Sequence, residues 1–170
     1  MVAHCRGAGL VLLAAGCLAL TAATSSVAPE IKDQGKFFSD EAIKKANEAI
    51  RHLALKYDRD VLIETYPTPP ADQLDKFKEL DAKERQTFFN KWALERAQFR
   101  VVRGLYILLC KEPHAIYIKV SPNSRKVFTD EFCDQLRLEM GKEFRKDRFD
   151  EGLTAGLHFI EERLAKDKDK

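Results

Sequence analysis

Asp33 and Asp130 are the residues best placed to do chemistry in this sequence. Each stands at the opening of a helical pattern, Asp33 before the first helix and Asp130 after the last strand. Oxygen ligands carried on such loops are what a hard cation such as calcium requires. The two carboxylates are therefore candidates for holding a divalent ion. The plainer reading is that each caps or complements its own helix, because Asp at a helix start accepts from free backbone N–H groups and suits the positive end of the dipole. His52, His114 and His158 are far apart in sequence. His52 and His158 lie on helical patterns among charged neighbours and His114 lies in a turn, which favours surface roles. No G-x-S-x-G elbow, phosphate-binding glycine loop, H-E-x-x-H or C-x-x-C pattern follows residue 28.

The first residues point to a compartment. Residues 1–28 contain one basic residue, Arg6, and the first acidic residue of the chain is Glu30. Ala8 to Ala23 reads AGLVLLAAGCLALTAA, without charge. A basic start, an apolar middle and a small-residue end make a secretory signal, too short for a spanning helix of about 20 residues. Cleavage after Ala23 fits, with a cut after Ala28 as the second candidate. Ala14-Ala15-Gly16-Cys17 resembles a lipoprotein site that would tether the chain at Cys17, although Ala14 stands where a large aliphatic is usual. The expected domains are therefore a leader over 1–28, a domain over 29–166 and a frayed charged tail over 167–170. Export to a periplasm, a lumen or the outside would leave Cys110 and Cys133 in an oxidising space. There they would pair, or remain two buried thiols.

The elements that must position these residues read clearly. Segment 39–57 is a helix with Ser39 as N-cap, Asp40 and Glu41 in the first turn, and Ile43, Ala46, Ile50, Leu53, Ala54 and Tyr57 on one face. Asp60 to Tyr66 is a buried strand, stopped by Pro67-Thr68-Pro69-Pro70. A second helix is expected from about Ala71 to Leu94, with Phe88, Phe89, Trp92 and Ala93 crowding one side. Gly104 to Cys110 is the strongest strand, and Ala115 to Val120 follows after a short turn as its hairpin partner. Helices then begin near Thr129 and Phe149. The order α-β-α-β-β-α-α, with the first two strands parallel, gives a single three-layer α/β domain whose sheet is covered on both faces.

Composition narrows the function. The chain has 170 residues, 45% hydrophobic and 33% charged, with a formal net charge of +2. It is long enough for one domain with a real core. A charge so near balance gives no reason to expect nucleic acid.

Over about Ile31 to Leu164 the chain resembles the TPM domain family, found in a thylakoid-lumen acid phosphatase and in bacterial envelope proteins. Ile31-Lys32-Asp33-Gln34-Gly35 with Phe38-Ser39 is similar to the family's opening, an Asp and a Gly just before the first helix. Phe89-Asn90-Lys91-Trp92-Ala93-Leu94 resembles the Trp-bearing segment of its second helix. Gly104 to Cys110 resembles its G-V-L-L-L-V strand, Phe128-Thr129-Asp130 its L-T-D step, and FRKDRFDEGLTAG its closing pattern. The resemblance implies a Rossmann-like sandwich in an exported protein. It also implies two activities seen in different members: divalent-metal binding with acid-phosphatase activity, or assembly and maintenance of membrane complexes.

Two departures bear on those expectations. Where relatives carry Asp-Asn-Gly before the second strand, this chain has Arg103-Gly104. Where they have a glycine-rich, acidic loop after the third strand, it has Ser121 to Val127 with Arg125 and Lys126. Arg100, Arg103, Arg125 and Lys126 would oppose calcium and suit an anion if they faced one cleft, or else lie scattered on the surface. Three readings follow: a non-catalytic accessory or interaction module with an envelope or membrane-complex partner, a metal-dependent acid phosphatase using calcium or another divalent cation, and an anion-binding domain.

Overall fold

A computed structural model describes residues 28–168; residues 1–27, all of the expected leader but Ala28, and the last two residues lie outside the described residues. Among them five α-helices surround a four-stranded sheet. The elements are β1 (Lys32–Asp33), α1 (Asp40–Tyr57), β2 (Asp60–Tyr66), α2 (Leu74–Glu79), α3 (Ala82–Phe99), β3 (Gly104–Cys110), β4 (Ala115–Val120), α4 (Asp130–Phe144) and α5 (Phe149–Lys168). The sheet order is β1-β2-β3-β4, parallel through β3 and antiparallel at β4.

Every residue of β3 is buried, which is why its sequence is a continuous apolar run. Successive side chains alternate between faces. Leu105, Ile107 and Leu109 enter the core under α1, α4 and α5, whereas Tyr106, Leu108 and Cys110 enter the core under α2 and α3. The second core is mainly aromatic: Phe89 stacks on Tyr117 at 5.1 Å, and Trp92 meets Tyr66 at 4.7 Å. Each fully buried ring or aliphatic chain stabilises by roughly 1.5–3 kcal/mol. The three layers thus follow the sequence reading.

The differences are local and have causes. β1 is two residues long, too short for any periodicity to mark it. The helix expected over 71–94 is broken into a 3₁₀ turn, α2 and α3. Leu80 is extended, and Asp81 starts a new helix with a reciprocal capping box to Glu84. A helix restarted at that cap runs on to Phe99.

Cys110 and Cys133 are both buried free thiols, so the disulfide does not form. The sheet separates them, because Cys110 lies in the core under α3 and Cys133 in the core on the other face. Burial pushes both thiols up to about 11.

Candidate functional site

Asp33 ends β1, and its carboxylate organises the turn into α1. It accepts from the backbone N–H groups of Phe37 and Phe38, at 3.0 and 3.1 Å, and from the Thr65 hydroxyl of β2. The Thr65 oxygen in turn accepts from Gly35 N at 2.8 Å. Asp33 therefore closes a loop onto the carboxyl end of the parallel strands.

Asp130 lies elsewhere. It is the exposed first residue of α4, directly after the N-cap Thr129. Phe37, beside Asp33, packs against Phe144 at the far end of α4. The rise of about 1.5 Å per residue puts the two ends of this helix some 20 Å apart. The structure does not bring Asp33 and Asp130 together, and they do not fit one divalent ion. Among the described residues no three His, Cys, Asp or Glu side chains gather as a metal site.

The basic residues divide. Arg103 and Arg125 line one groove of about 650 Å³ at the amino end of the parallel strands. Lys126 does not line it. Arg100 is the C-cap of α3 and turns inward instead, donating to Glu64 at 2.8 Å. Arg59 and Lys119 enter the same groove. Lys119 arrives through the hairpin register that sets it beside Tyr106.

The walls combine charge with exposed apolar surface. The end of α3 and the turn after it supply Leu94, Ala97, Val101 and Val102. Leu94 is 47% exposed and Val101 78%. Val101 has φ 53°, in the left-handed region. A β-branched residue there costs on the order of 1–3 kcal/mol, and such strain gathers at functional sites. Gly104 marks a close approach on the groove's floor: a Cβ there would meet the Asp60 carbonyl oxygen at 2.1 Å. Arg103 is held by Asp60, at 3.1 Å from its backbone N and 3.4 Å from Nε, and lies 3.7 Å from Asp58.

The sequence reading missed Glu64. It is 1% exposed, on the β2 face under α3. Its carboxylate accepts five hydrogen bonds: two from Arg96, one from Arg100, and one each from the Tyr66 and Tyr106 hydroxyls. Burial alone would raise its pKa; the bonds from Arg96, Tyr106, Tyr66 and Arg100 outweigh that and hold it at about 2. Burial and the Glu64 hydrogen bond push the Tyr66 hydroxyl up to about 12. The available signal was a lone acid inside an apolar strand, with Arg96 and Arg100 one helical turn apart. The cluster clamps the carboxyl end of α3, and so the groove's apolar wall, onto the sheet.

The histidines stay apart. His52 lies 3.6 Å from Glu161 and His158 3.3 Å from Glu162, both on the surface. His114 lines a second cavity of about 540 Å³ with Phe37, Phe144, Phe149, Arg137 and Arg145.

Comparison with known proteins places this geometry. Three solved structures share the fold. The N-terminal domain of a protein from P. gingivalis has a TM-score of 0.66 at 14% identity, covering 82% of this chain and 83% of that one. The N-terminal domain of cg2496 from Corynebacterium glutamicum has a TM-score of 0.56 at 13% identity, covering 89% and 85%. The BA42 protein of Bizionia argentinensis has a TM-score of 0.53 at 22% identity, covering 77% and 83%. No curated protein matches the chain. The TPM domain family matches residues 31–163, and the chain belongs to that family.

Proposed function

We propose that this chain is an exported, non-catalytic interaction module of the cell envelope, and that the groove at the amino edge of its sheet is the contact surface. The observation that carries the reading is the juxtaposition of exposed Leu94 and strained, exposed Val101 with Arg59, Arg103, Lys119 and Arg125 in one groove. Apolar surface held out at a cost in backbone conformation, rimmed by charge, is the anatomy of a protein contact. The family's phosphatase activity gains no comparable support here, because Asp33 and Asp130 stand at opposite ends of α4. The charge-free leader segment supports export. Ala28 is 9% exposed and packs into the core under α1 and α5. A cut after Ala23 therefore keeps a core residue that a cut after Ala28 would remove.

Photo-crosslinking in the intact envelope tests the reading. Benzoylphenylalanine at Val101 should yield a discrete protein adduct. The same group at exposed Glu48 on α1 should not. Equal yields from both positions, or none from Val101, would defeat it.

A further inference from the structure

We infer that the amino-edge groove takes an acidic polypeptide segment carrying at least one large apolar side chain. This rests on the interaction-module reading and names the partner's chemistry.

The charge pattern points that way. Of the lining cations, Arg103 is engaged by Asp60 and Asp58. Arg59, Lys119 and Arg125 form no ion pair among the described residues. Arg59 donates Nη1 to the Asp58 carbonyl at 2.8 Å, and its Nε is buried without an acceptor. Lys119 donates to Asn90, a neutral group, at 2.8 Å. Burial, and then Arg137, lower its pKa, the signature of a cation short of negative charge. Among the described residues Asp58 is the one acid lining the groove. Three cations thus lack carboxylates, and a partner's Asp or Glu side chains would supply them.

The apolar pattern adds the second requirement. Leu94, Ala97, Val101 and Val102 contribute a contiguous apolar wall from α3 and its following turn. An inorganic anion would use the cations and leave that wall wet. A membrane is also a poor match. Lys119 and Arg59 are recessed, half-buried in a concave groove rather than raised on a protruding face. A flat anionic bilayer reaches recessed cations poorly. A peptide chain can place carboxylates in the recess and an apolar side chain on Val101 at once. Its own backbone N–H and C=O groups would find partners in Ser121, Asn123 and Gln98 around the rim.

The test is selection of a displayed random-peptide library on the purified full chain, followed by titration of individual selected peptides. The expected result is a set enriched in Asp or Glu beside an aromatic or branched aliphatic residue. Binding should weaken as salt shortens the Debye length. Lys119→Glu/Arg125→Glu should weaken binding by more than tenfold, as like charges meet. Val101→Ser should weaken it several-fold, and exposed Glu48→Lys should leave it unchanged. Native Trp92 fluorescence in each variant establishes that the fold is kept. Parallel arms use phosphatidylcholine vesicles with and without phosphatidylglycerol, and inorganic phosphate as competitor. Selected peptides without acidic excess, an empty selection, or affinity unchanged in the charge-reversed variant would overturn the inference. So would binding to anionic vesicles alone, or full displacement by millimolar phosphate. If any of these occurred while Val101 still crosslinked in the envelope, the interaction module would stand and only the partner's chemistry would fall.

Discussion

Replacing Glu64 by Gln removes the charge around which α3 is docked while keeping shape and one acceptor oxygen. Both carboxylate oxygens are used, by two arginines and two tyrosines at 2.8 Å each. The side chain is 1% exposed, so water cannot replace what is lost. Removing one partner of a buried ion pair costs about 3–5 kcal/mol, and partial exposure of Arg96 and Arg100 favours the lower end. The pH dependence separates charge from packing. Glu64 has a folded pKa of about 2 against an ordinary 4.5. A depressed carboxylate contributes stability that is fully present above the unfolded value and is lost as pH falls through the folded one. Linkage gives about 3 kcal/mol at pH 7 and about 1 kcal/mol at pH 3. Other carboxylates titrate alike in both proteins and cancel in the difference. Trp92 is the only tryptophan of the chain and touches Tyr66 of this cluster, so its fluorescence during urea unfolding reports the right region. The gap between wild type and Glu64→Gln should narrow by about 2 kcal/mol from pH 7 to pH 3. A gap constant over that range would refute the claim that folding depresses the Glu64 pKa.

Three further outcomes follow from the geometry. Asp33→Ala should cost about 1–3 kcal/mol in urea unfolding, because it orphans the Phe37 and Phe38 amides. Asp130→Ala should cost only a few tenths, and calcium should not erase this contrast as it would for a shared ion. Gly104→Ala should destabilise by about 2–3 kcal/mol or more, since its Cβ would overlap the Asp60 carbonyl, and a wild-type urea midpoint would contradict that packing. Peptide mapping after iodoacetamide treatment of the native chain should find Cys110 and Cys133 unmodified, then both alkylated after unfolding without reductant. Recovery of a Cys110–Cys133 peptide would contradict their placement on opposite faces of the sheet.

What was legible in the sequence is what local chemistry decides. The run from Gly104 to Cys110 could only be a strand buried on both faces, and the hairpin after it followed from a short turn. The α1 boundary lay in Ser39 and the two acids after it. The Glu64 cluster could not be assembled from the sequence because it joins residues 32 and 36 positions apart, and no local pattern records which pair of arginines a lone strand acid meets. Arg100 and Arg103 illustrate the same limit. They are three residues apart, yet Arg100 caps the end of α3 and Arg103 lies beyond the turn that follows. Arg100 is carried back over the sheet to Glu64, and Arg103 is left at the groove. Lys119 joins that groove only through the register in which Ala115 to Val120 pairs with β3, and Arg59 through the β2–β3 pairing that sets Asp60 beside Gly104. The Asp33 and Asp130 pairing failed for a related reason: both stand near α4 in space, but at its two ends.

The location of the groove runs against the usual rule for open α/β sheets, in which ligands bind beyond the carboxyl ends of the strands. Here that edge is occupied by the protein itself. Phe37, Phe38, Phe144 and Phe149 form a ring cluster over it, with centroids 5.3 to 6.5 Å apart. Asp33 and Thr65 tie down the loop that carries the first two rings. The remaining cavity there is lined by Arg137, Arg145 and Asp147, and Arg137 is already paired to Asp134. At the amino edge the balance fails locally, although the whole chain carries only +2. Arg103 and Arg125 thus give one edge of the sheet a local excess of positive charge.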